Sequence, residues 1–111
     1  MSYFRAAQCF SNAIDILMDP HPNGVNVDLA RAMIECGEAI DSLRGTKLDP
    51  EAEGMVDRIK FHLNYSHLPI PEGKGGYQVK AEYLGETDRL ELSQLVKRMY
   101  DLCSEANRSG K

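Results

Sequence analysis

A chain of 111 residues, 42% hydrophobic and 27% charged, has the size and balance of one folded domain spanning residues 1–111, with no length left for a second core. Its formal charge of −4 supplies no broad basic field, which turns expectation away from nucleic acid and from anionic membrane surfaces. Cys9, Cys36 and Cys103 are odd in number and far apart, a pattern that suits a reducing compartment, so a cytoplasmic protein is expected.

The opening stretch MSYFRAAQCFSNAIDILMD carries polar residues every few positions and lacks the continuous apolar segment of a signal peptide. Ser2 can cap a first helix in which Tyr3, Ala7, Phe10, Ile14 and Leu17 recur at three- and four-residue spacing. Gln8, Asn12, Asp15 and Asp19 fall on the other side, and Asp19-Pro20-His21-Pro22-Asn23-Gly24 forces a turn. Asn26 then offers a cap for a second helix. Leu29, Met33, Cys36, Ile40 and Leu43 form its inner stripe, while Asp28, Arg31, Glu35 and Glu38 face water. Gly45 is placed to close it.

Leu48-Asp49-Pro50-Glu51 is the clearest helix start in the chain: an Asp cap, Pro at the first helical position and a carboxylate in the first turn. The third helix carries Ala52, Met55, Val56, Ile59 and Leu63 on one face. Beyond Tyr65, the run Ser66 to Gly76 contains two prolines and three glycines and reads as a long loop. Tyr77, Val79, Ala81 and Tyr83 alternate with Gln78, Lys80 and Glu82, the period of an extended segment lying on the helices. Asp88 and Glu91 have capping-box spacing ahead of a last helix striped by Leu92, Leu95, Val96, Met99, Cys103 and Ala106. Asn107 to Lys111 form a polar tail. The expected fold is all-α: an up-down bundle of about four helices, with the Pro/Gly-rich loop and extended segment between the third and fourth.

Chemical signatures are sparse. His21, His62 and His67 with the cysteines include no C-x-x-C and no H-x-x-x-H, and His62 and His67 point about 140° apart on a helix, so no metal or other cofactor is expected. Cys36 and Cys103 sit on inner stripes as small hydrophobes, and Cys9, off the main stripe, is the cysteine best placed for a nucleophile, although none has a catalytic setting. The loop around Gly73, Lys74, Gly75 and Gly76 could wrap backbone N–H groups about a phosphate, with Tyr77, Lys80 and Arg89 nearby, but it lacks Walker spacing and no helix is expected to follow it.

The more informative anomaly is apolar. Phe61 and Tyr65 lie one turn apart on the side of the third helix opposite its inner stripe, and either Leu68, Ile70, Tyr77 and Tyr83 cover them or a partner does. The functional expectation is a non-enzymatic protein-interaction module that uses Phe61, Tyr65, Leu68, Ile70, Tyr77 and Tyr83 against another protein or a second copy of itself. The alternative is a module that holds a nucleotide or other phosphate-bearing ligand at the loop from Gly73 to Tyr77.

Overall fold

The computed structural model describes residues 3–18 and 24–109. Ser2 as a cap, the turn from Asp19 to Asn23 with His21, and the last two residues of the polar tail lie outside them. The described chain forms five helices and no strand: α1 (Tyr3–Met18), α2 (Val25–Ser42), α3 (Pro50–Leu63), α4 (Gly76–Tyr83) and α5 (Glu86–Arg108).

The all-helical expectation therefore holds, and the count of about four is corrected to five. The extended segment is α4. Its two-residue alternation spans only seven positions, and no strand is present among the described residues to accept its backbone bonds, so the helix satisfies them locally. α4 buries Val79, Lys80 and Ala81, and it packs against α2.

α3 starts as its sequence dictates: the Asp49 carboxylate accepts a hydrogen bond from the Ala52 N–H at 2.8 Å, and Pro50 opens the helix. Three other details differ from expectation. α2 begins after Gly24 rather than after an Asn26 cap, and Asn26 instead accepts a hydrogen bond from Arg89. Asp28 does not face water; it is buried and pairs with Arg31 at 3.2 Å. α5 begins at Glu86 after Gly85 without a side-chain cap, so Asp88 and Glu91 form no capping box there. Gly45 adopts φ +83°, the left-handed conformation expected of a helix-closing glycine, and the Thr46 N–H donates to the Leu43 carbonyl at 2.9 Å.

α1 packs on α2 and α5, while α3 lies more against α5 than against α2. Phe10, Met33, Ile59, Leu92 and Met99 are fully buried where these helices meet. The buried face of α1 is rotated from the expected stripe. It centres on Ala6, Cys9, Phe10 and Ala13, and small residues there let α2 and α5 approach closely. Tyr3, Ile14 and Leu17 are only partly covered. The stripe of α3 is buried throughout, as are Leu92, Val96, Met99 and Cys103 of α5.

Candidate functional site

The outer side of α3 and the segment leading into α4 gather most of the residues singled out by the sequence. Phe61 projects from α3 with 58% of its surface exposed. The guanidinium carbon of Arg58, one turn earlier, stands 4.6 Å from the ring centroid, and Lys80 reaches across from α4 to 6.0 Å. These are cation–π distances, and they explain how Lys80 can be largely buried: its stem lies along the protein while its charge approaches an aromatic face. Tyr83, one turn beyond Lys80 on α4, is 61% exposed.

Tyr65 has a different environment. Its ring meets that of Tyr77 edge to face at 5.4 Å and lies directly over Gly76, where a Cβ would overlap it. Tyr77 in turn points its hydroxyl at Gly37 of α2, 3.0 Å from where a Cβ would stand. Burial, with Tyr65 and Asp41 nearby, pushes the Tyr77 phenol above its ordinary value. Of the six residues assigned to a partner face, Tyr65 and Tyr77 thus pack against each other, Tyr65 staying exposed and Tyr77 half-buried. Leu68 is half-buried, Ile70 is exposed, and Phe61 and Tyr83 remain open to solvent.

The glycine-rich loop runs into the N-terminus of α4, contrary to the expectation that no helix follows it. Gly75 is the cap, and the first helical bond runs from the Val79 N–H to the Gly75 carbonyl, so the N–H groups of Gly76, Tyr77 and Gln78 precede the helical ladder. Gly73 turns with φ +87°. The cations expected beside a phosphate are otherwise engaged. Lys74 pairs with Glu82 at 3.2 Å, and Lys80 is directed at Phe61. Arg89 donates to the carbonyls of Leu84 at 3.0 Å and Ala81 at 3.1 Å and to the side chain of Asn26 at 2.5 Å. Arg89 thereby ties the end of α4 to the start of α2.

A polar cluster missed by sequence reasoning joins α3 to α5. His62 lies on the buried side of α3 with 1% exposure, and its Nε2 donates to Glu91 Oε1 at 2.5 Å. Arg58 Nε donates to the same oxygen at 2.9 Å. The His62 hydrogen bond is the main cause holding the Glu91 carboxyl below its ordinary value; partial desolvation opposes it, and the Arg58 bond and charge assist. Asp88 brings a third metal-type donor into the cluster, and Cys9, Glu35 and Glu38 form a second such group. Both are already internally paired: the first by His62 and Arg58 on one oxygen, the second by Asn12 on Glu35 and Arg5 on Glu38, each at 3.2 Å. The signal for the first was the position of His62, three residues after Ile59 on an apolar stripe, where a buried imidazole needs a polar partner.

No family model matches the chain, and no curated protein or solved structure is similar to it at a significant level.

The three cysteines are buried and free. Burial pushes the Cys36 thiol up to about 12 and Cys103 up to about 11. Cys9 is also raised, chiefly by burial, with Arg5 acting in the opposite direction. Such thiols are poor nucleophiles near neutral pH.

Proposed function

We propose that this protein is a non-enzymatic interaction module that binds a protein partner, or a second copy of itself, through the outer face of α3 and α4. The observation that carries this reading is Phe61, a large aromatic side chain 58% exposed in the last turn of α3. An aromatic ring backed by two cationic stems has the chemistry of an interface anchor: large apolar area, little conformational freedom to lose, and nearby charge to orient a partner. Tyr83, one turn beyond Lys80 at the end of α4, is a second exposed aromatic residue.

Light scattering of the wild type and of a Phe61→Ala variant tests the self-association form. An oligomer that becomes a monomer in the variant supports it, and a wild type that stays monomeric at every concentration removes it. A pull-down whose partner profile is identical for Phe61→Ala and wild type would refute the wider reading.

A second reading, capture of a phosphate-bearing ligand at the loop from Gly73 to Tyr77, is favoured by the start of α4 there, because its leading N–H groups suit an anion. A thermal-shift series with nucleotides tests it: a ligand at about 100 times its dissociation constant adds about 2.7 kcal/mol of stability. No shift with any nucleotide refutes it.

A further inference from the structure

A groove lies elsewhere among the described residues, between α2 and α3. It has a volume of about 700 Å³ and opens to solvent. It exists because α3 leans on α5 and packs only sparsely on α2, so the two helices part along their outer sides. Exposed Ile34 and half-buried Ile40 and Leu48 give it accessible apolar surface, while only the edges of the buried Leu43, Val56 and Leu63 reach its floor. Gly37 adds no side chain at the α2 wall, and Tyr77 closes that end.

The rim is charged unevenly. Glu38, Asp41, Glu53 and Asp57 line it against only Arg44 and Lys60. Arg44 is already paired with Asp41 at 2.9 Å and Glu38 with Arg5 at 3.2 Å. Glu53 and Asp57, one turn apart on α3, are exposed and, like Lys60 beside them, make no ion pair among the described residues, so the unpaired rim charge is two carboxylates against one ammonium.

We infer that this groove is a receptor for a basic amphipathic helix of a partner protein. Its shape argues for a helix, since two helical walls flank a trough whose apolar positions recur along both, as in helix-in-groove recognition. Its charge argues for a basic one. Lysine or arginine beside the inserted apolar residues would meet Glu53 and Asp57, and the net charge of −4 would steer such a segment inward. An acidic helix would meet like charge at the same rim. The surface is distinct from the Phe61 face, because Phe61 does not line the groove.

The probe is a fluorescein-labelled amphipathic peptide of leucine and lysine, compared with its leucine–glutamate counterpart. Fluorescence anisotropy reads affinity, and amide chemical shifts of ¹⁵N-labelled wild-type protein read location. The lysine peptide should bind and the glutamate peptide should not, with amide shifts concentrated at Ile34, Gly37, Asp41 and Asp57. A Glu53→Lys, Asp57→Lys variant, with its helical content checked by circular dichroism, should bind roughly tenfold or more weakly, and added salt should weaken the wild type in the same direction. Phe61→Ala should bind the peptide as wild type does, so failure of the groove and failure of the Phe61 reading are separable. Absence of lysine-peptide binding, affinity unmoved by the double charge reversal, or amide shifts confined to Phe61 and Tyr83 would each overturn the inference. The shift map uses wild-type protein and stands even if the double variant fails to fold.

Discussion

Replacing Gly76 with alanine perturbs the contact that joins the loop to α4. In an open helix, alanine is about 1 kcal/mol more favourable than glycine. Here Gly76 is the first residue of α4, where that preference is weakest, and the added methyl would occupy the space of the Tyr65 ring. The ring is the far end of a side chain that is 39% exposed, so it can swing outward instead of straining the backbone. The cost is then the contact it abandons, the edge-to-face pairing with Tyr77, about 0.5–1.5 kcal/mol plus some apolar burial. Gly76→Ala should therefore lower stability by about 1 kcal/mol in urea unfolding. The decisive comparison is a double-mutant cycle: in a Tyr65→Ala background the ring is gone, and Gly76→Ala should become neutral or mildly stabilising. The same loss in both backgrounds would refute the account.

Gly54 is the counterpart, an exposed position inside α3 where a Cβ would meet nothing within 4 Å. Gly54→Ala should stabilise by about 1 kcal/mol and raise Tm by roughly 4 °C in calorimetry, and a fall would contradict the placement. Asp49→Ala removes the carboxylate that caps α3 and should cost about 1 kcal/mol by denaturant titration. The lowered carboxyl of Glu91 sets a pH dependence. In the unfolded chain this group takes up its proton at a higher pH than in the folded one, so its stabilising contribution is present above about 4.5 and is lost as pH falls through the folded value. Urea midpoints of the wild type should fall more steeply with acidification than those of Glu91→Gln; parallel curves would refute the His62–Glu91–Arg58 assignment. Ellman's reagent should react with the cysteines only as fast as the fold opens, since all three thiols are buried.

The legible parts of the fold were those encoded in neighbouring residues. The start of α3 was readable because its cap, proline and acidic first turn lie within four positions, and the stripe of α5 was readable because it repeats over about four turns. α4 was not, because eight residues with alternating side chains carry too little periodicity to separate helix from strand. The buried face of α1 was misplaced because alanine and cysteine give a faint hydrophobic signal, yet they are what close helix packing needs. Among the site residues, Phe61 was singled out correctly as lying off the inner stripe. That Tyr65 and Tyr77 pack edge to face depends on the loop bringing residues twelve apart together, which periodicity does not carry. For the His62–Glu91 pair only half was legible, since the place of His62 on the inner stripe calls for a polar partner without naming Glu91, and the α2–α3 groove joins distant segments with no local signature.

Arg89 spans α2, α4 and α5 with a single planar group. A lysine there would hold all its N–H donors on one nitrogen and could not reach acceptors that Arg89 meets from both Nε and Nη2. Together with Tyr77 seated against Gly37, this clamp gives α4 an attachment to α2 that does not run through the loop from Ser66 to Gly75. A protease that severed that loop would break the chain without freeing either piece, and the nicked protein would elute as one particle and separate only in denaturant.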